Sequence, residues 1–106
     1  FELSKSSNDQ FRFVLKAGTG EIILTSELYT TRAAAEKGIA SVRVNSPQDA
    51  HYEKKTAANG KFHFNLKAGN HQVIGSSQLY ATEQSRDKGI ASVKTNGASE
   101  TVKDST

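Results

Sequence analysis

FRFVLKAGTGEIILTSELYTTRAAAEKGIASVRVN runs from Phe11 to Asn45, and FHFNLKAGNHQVIGSSQLYATEQSRDKGIASVKTN runs from Phe62 to Asn96. The two stretches align without a gap at an offset of 51 residues. The same offset carries Phe1-Glu2 onto Tyr52-Glu53 and Asn8 onto Asn59. The chain is therefore two copies of one unit, 1–51 and 52–106. A unit of about 50 residues buries a small fraction of its surface and is marginal alone. Two joined copies can complete one core, and no Gly/Ser- or Pro-rich linker separates them. A single domain over 1–106 with an internal pseudo-two-fold axis is expected.

Within one unit, Phe1–Ser6 reads as a first strand. Asn8-Asp9 and Asn59-Gly60 read as two-residue hairpin turns, Asn-Gly being a strong signal because both central residues need positive φ. Phe11, Phe13 and Leu15 alternate strictly, as do Phe62, Phe64 and Leu66, so one face of a second strand is buried. After the turn at Ala17–Gly20, Glu21–Ser26 forms a third strand. The continuous run Ile22-Ile23-Leu24 leaves its parity open. Local hairpin neighbours are expected to be antiparallel.

Thr31 and Thr82 are candidate N-caps of the helix that follows, with Ala33–Lys37 rich in helix formers. The helix should end near Asn45 and Asn96, where asparagine tolerates the left-handed conformation. Ala35, Ile39 and Val42 make the sheet-facing stripe. Beside it lies a stripe of small and polar residues: Ala34, Gly38, Ser41 and Asn45, repeated as Ser85, Gly89, Ser92 and Asn96. A mid-helix glycine costs about 1 kcal/mol against alanine, so its recurrence implies a steric need. That need is either close approach of the helix to a strand or to the other helix, or a gap that admits a ligand. Asp49–Thr56 and Ser99–Asp104 read as extended, and the first of these could serve both copies.

Three marks, F-x-F-x-L-K-A, the T/S-S-x-x-Y stretch and the closing G-I-x-S-V-x-x-N, resemble the YegP-like family of small bacterial proteins over nearly the whole chain. The resemblance implies an α+β fold of two tandem β-β-β-α-β repeats in one antiparallel-rich sheet with two helices, the C-terminal strands exchanged. It implies no established activity. The second copy departs from the first at Gly75, Glu83 and Arg86, so a site can be present once.

The chemistry is sparse. The 106 residues carry no cysteine and a net charge of +3, which excludes disulfides and thiolate metal sites. A cytoplasmic location is expected, with no signal-type or membrane-length apolar run. The pI of about 9.3 invites a nucleic-acid reading. Yet residues 52–106 supply the whole excess, and lysines mixed with acids suit a solvated surface better. His51, His63 and His71 show no metal-ligand spacing, and no G-x-S-x-G elbow is present. Tyr29 and Tyr80, ahead of each helix, suit an aromatic plug at the helix–sheet corner. Lys16 and Lys67 recur at a strand end opposite the phenylalanines, as edge lysines or as a seat for an acidic partner.

The expectation is a non-enzymatic binding or interaction module without a cofactor, a monomer built like a fused dimer. The candidate binding residues are Lys16, Lys67, Gly38, Gly89, Ser41 and Ser92, and the partner is an acidic protein or a small ligand. A weak nucleic-acid binder acting through lysines and an enzyme of unknown class are the alternatives.

Overall fold

The structure is a computed structural model that describes residues 1–6, 8–99 and 101–105. Its elements are β1 (Glu2–Lys5), β2 (Phe11–Lys16), β3 (Ile22–Ser26), α1 (Arg32–Asn45), a 3-10 turn at Asp49–His51, β4 (Tyr52–Thr56), β5 (Phe62–Lys67), β6 (Val73–Ser76), α2 (Glu83–Asn96) and β7 (Lys103–Asp104). They form one seven-stranded sheet in the order β4-β5-β6-β3-β2-β1-β7, with two helices. This is the expected α+β architecture of paired repeats.

The registers repeat with the sequence. Leu3 faces Phe13 as Lys54 faces Phe64, and Leu15 faces Leu24 as Leu66 faces Gly75. The repeats join through β3 and β6, where Thr25 pairs with Ser76. Each of these two is the other's counterpart, so the pseudo-two-fold axis passes between them. It also passes between the helix ends. A Cβ on Gly97 would stand 2.6 Å from the Cβ of Ser46, its own counterpart.

The hairpins differ from expectation. Ala57 N–H donates to Lys61 O, and Gly60 N–H donates back to Ala57 O. The same pair of bonds recurs at Ser6/Gln10, Ala17/Glu21 and Ala68/Gln72. These are three-residue loops whose last residue is left-handed, not two-residue turns with two such residues. That residue is Asp9 (φ 64°) or its counterpart Gly60 (φ 80°), and Gly20 (φ 89°) or its counterpart His71 (φ 66°).

A bulge settles the parity of β3. Leu15 faces Leu24 but Lys16 faces Ile22, so Ile23 is an extra residue on its strand. Both Ile23 and Leu24 are buried, while Ile22 is exposed. The second repeat has the same shift between Leu66 and Lys67.

Thr31 and Thr82 cap the helices by accepting from Ala34 N–H and Ser85 N–H at 3.0 Å. The C-terminal mechanism is not the expected one. Asn45 and Asn96 are the last helical residues, followed by Ser46 (φ −59°) and Gly97 (φ −66°) in right-handed conformation. Each asparagine amide donates back to a helical carbonyl, of Ser41 or Ser92, at 2.8 Å. Beyond α1, Asp49–His51 coils as 3-10 helix rather than extending, and among the described residues β4 pairs with β5 and no other strand. Of Ser99–Asp104, β7 occupies the last two residues, and Glu100 lies outside the described residues. β7 crosses to the other repeat and lies parallel to β1, which is the strand exchange that the resemblance implied.

One apolar cluster spans both repeats, with Ala35, Ile39 and Val42 of α1 in it as expected. The first repeat contributes Phe1, Leu3, Phe13, Leu15, Ile23, Leu24, Ala35, Ile39 and Val42, and the second only Phe64, Leu66, Ile74, Ile90 and Val93. The missing counterparts are Tyr52, Lys54, Gly75 and Arg86. Arg86 is buried at Ala35's place with its guanidinium 5.6 Å from the centre of the Phe62 ring.

Candidate functional site

Gly38 and Gly89 are tight positions, but their neighbour is neither a strand backbone nor the other helix. A Cβ on Gly38 would meet Tyr29 Oη at 2.5 Å, and Phe13 Cε2 and Tyr29 Cζ at 2.9 Å. A Cβ on Gly89 would meet Tyr80 Cζ at 2.8 Å. Each tyrosine is pinned to its own repeat by paired backbone bonds, Tyr29 with Phe11 and Tyr80 with Phe62, at 2.7–2.8 Å. The rings plug the helix–sheet corner as expected, and glycine lets the helix sit on them. Tyr29 and Tyr80 stand nine residues before Gly38 and Gly89. That shared spacing is the signal that could have paired them.

The small stripe of α1 lines a cleft of about 390 Å³. Ala34, Lys37, Gly38 and Ser41 form one wall with Tyr29 and Glu27. Asn70, Gln72 and Ile74, from the β5–β6 loop and β6, form the other. The site thus draws on both repeats across the pseudo-axis. Burial, with the nearby Glu27 carboxylate second, raises the Tyr29 hydroxyl above its ordinary pKa. The phenol stays protonated at neutral pH and can donate or accept. Ser41 Oγ accepts from Asn45 Nδ2 at 3.1 Å, which leaves its own proton to give.

The second repeat is different at the same place. The counterparts of Glu27 and Gln72 are Gln78 and Glu21, and Gln78 Nε2 donates to Glu21 Oε1 at 2.6 Å. A hydrogen bond thus bridges the repeats there. Gly89 and Ser92 keep their stripe, with Asn96 Nδ2 3.4 Å from Ser92 Oγ.

Lys16 and Lys67 are placed far from these stripes in role. Lys16 Nζ lies 2.7 Å from Glu2 Oε2, and Lys67 Nζ lies 2.7 Å from Glu53 Oε2. Glu2 and Glu53 are themselves counterparts. The lysine hydrogen bond is the first cause that lowers each carboxyl's pKa, to about 2 for Glu53, where Asn65 also donates. Asn65 in turn accepts from Ser76 Oγ at 2.6 Å. Both lysines are thus tied into the chain's own ion pairs.

Of the histidines, His51 Nδ1 is 2.5 Å from Asn45 Oδ1, and His71 occupies its left-handed loop position. Among the described residues no group of three or more His, Cys, Asp or Glu is placed to hold a metal ion. No helix among them is long and apolar enough to cross a membrane.

Comparison with known proteins agrees with the repeat. The family model "Domain of unknown function (DUF1508)" matches twice, at residues 6–53 and 57–104. The chain is 78% identical over 106 residues to the UPF0339 protein YegP of Shigella flexneri, covering all of this chain and 96% of that one. It is 66% identical, with the same coverage, to a UPF0339 protein of Acinetobacter baylyi. The solution NMR structure of yegP from E. coli, described as a protein of unknown function, superposes with a TM-score of 0.96 at 77% identity, covering 100% of this chain and 91% of that one. That of a UPF0339 protein from Shewanella oneidensis gives 0.93 at 62% identity, covering 97% and 87%. The doubled domain match and the full-length likeness show that this chain belongs to the YegP/UPF0339 family, a bacterial family of unknown function.

Proposed function

We propose that the protein is a non-catalytic binding module that holds a small polar ligand in the cleft between α1 and the β5–β6 loop. The observation that carries this is the cleft itself. Its volume of about 390 Å³ is on the scale of small-molecule sites, at roughly 300–1,000 Å³. Tyr29, Lys37, Ser41, Asn70 and Gln72 supply donors and acceptors around an apolar floor. The lysine face is the weaker candidate, because Lys16 and Lys67 are already neutralised by Glu2 and Glu53. A chain without cysteine suits the reducing cytoplasm, and its fused-dimer build suits a monomer.

The test is a screen of small polar metabolites by amide chemical shifts. A binder should shift Tyr29, Ala34–Ser41 and Ala68–Ile74 together. Ala34→Phe should fill the cleft and weaken that binder at least about 10-fold, with the fold intact. Binding that shifts other residues, or that survives Ala34→Phe unchanged, would contradict the proposal, as would a screen without a binder.

A further inference from the structure

β1 and β4 are counterparts, yet among the described residues β1 has a further strand on its outer side and β4 has none. On the β1 edge, Lys103 N–H donates to Phe1 O at 2.8 Å and Ser105 N–H donates to Leu3 O at 2.9 Å. Arg43 Nε donates to Ser99 O at 2.7 Å, and Arg32 pairs with Asp104. This C-terminal segment runs parallel to β1 beside α1, and Leu3 beneath it is 1% exposed.

On the other edge β4 takes the place of β1 and α2 that of α1. β4 is the terminal strand, with β5 as its partner. A groove of about 450 Å³ runs there, lined by Tyr52, Lys54, Asp87, Ile90, Ala91 and Lys94, with Asp49 paired to Lys94 at its rim. Tyr52, Lys54, Asp87, Ile90 and Lys94 are the counterparts of Phe1, Leu3, Glu36, Ile39 and Arg43. Among the described residues no strand pairs with the outer side of β4, and Ser46–His51 leads directly into it. By the shared register, the carbonyls of Tyr52 and Lys54 face outward as those of Phe1 and Leu3 do.

The occupant's chemistry can be taken from the covered edge. There Val102 lines one hollow with Leu3 and Ile39, and two residues on Asp104 meets Arg32. At Arg32's place the second repeat has Glu83, with Asp87 one turn along the helix in place of Glu36. The charge facing the incoming residue is reversed. A second copy's C-terminal segment would bring Asp104 against Glu83, so another copy's tail is disfavoured. Lys54 and Lys55 on β4 likewise oppose pairing of this edge with itself.

We propose that the β4–α2 groove binds an extended peptide segment of another protein, laid parallel to β4 as β7 lies along β1. Its backbone N–H groups bond to Tyr52 O and Lys54 O, its apolar side chain lies against Ile90 and the Lys54 stem, and a lysine or arginine two residues on meets Glu83 and Asp87. Main-chain bonds to a sheet edge supply affinity, and the alternating side chains supply selectivity. Lys54, 3.2 Å from Asp87, yields that partner to the incoming cation.

Two synthetic peptides test this on the intact protein: one with the sequence of residues 98–106, and the same peptide with Asp104→Lys. The lysine peptide should bind with a Kd below about 1 mM and at least about 5-fold more tightly than the natural one, the scale of one favourable ion pair. Amide shifts should fall on Tyr52–Thr56 and Asp87–Lys94, and Glu83→Arg should reverse the preference. Equal affinities, no binding at millimolar peptide, or shifts on Glu2–Lys5 and α1 from displacement of β7 would each overturn the proposal.

Discussion

Gly75→Leu is expected to destabilise the protein by about 3 kcal/mol or more, the upper end of what overpacking costs in a close-packed interior. Gly75 lies in β6 beside the pseudo-axis. A Cβ there would stand 2.8 Å from the Thr25 backbone oxygen and 3.1 Å from Leu24 Cγ. The oxygen belongs to the adjoining strand and cannot swing away as a side chain can. Leu24, the counterpart of Gly75, already fills the space that two leucines would have to share. Gly75→Ala should cost less, about 1–2 kcal/mol. Combining Gly75→Leu with Leu24→Gly exchanges the roles of the two repeats and should recover part of the loss, a coupling expected of residues in direct contact. Urea denaturation measures all three. An unchanged midpoint for Gly75→Leu would show that the repeats do not meet as described.

The second large effect is at the helix glycines. Gly38→Leu should lower stability by about 2 kcal/mol, after a helix-propensity gain of about 1 kcal/mol is subtracted from the overpacking cost. Gly89→Leu should cost less. All three near neighbours of Gly89 belong to the Tyr80 ring, whereas Gly38 also meets the fully buried Phe13. In a Tyr80→Ala background the sign of Gly89→Ala should invert. The collision with Tyr80 is gone, and alanine then contributes up to about 1 kcal/mol of helix propensity. Thermal unfolding reads this as a shift of several degrees. Gly89→Ala that stabilises the unmodified protein would mean that the ring gives way freely.

The repeat made most of the fold legible. Alternation at Phe11, Phe13 and Leu15 placed β2, the doubled Gly-Ile-Ala-Ser-Val placed the helices, and threonine caps marked their starts. What stayed hidden arises where the copies meet. At a two-fold axis a residue faces its own counterpart. Gly75 and Gly97 are therefore explained by Leu24 and Ser46, one repeat away, and not by local propensity. The tight position at Gly38 was visible, but its partner Tyr29 was not assigned to it. The hairpins misled because Asn59-Gly60 satisfies two turn types, and the observed loop needs positive φ only at Gly60. The cleft was half legible: its α1 wall lay in the small stripe, but Asn70 and Gln72 arrive from the other repeat. Lys16 and Lys67 were conspicuous by recurrence, and Glu2 and Glu53 recur beside them for the same reason.

The central claim is that two marginal units share one core and unfold together. Native-state hydrogen exchange on the intact chain tests it most directly, because opening free energies report which segments unfold as one. The slowest amides of β2 and β3 and those of β5 and β6 should converge on a single limiting free energy as denaturant is added. Two separate limiting values, one for each repeat, would contradict it.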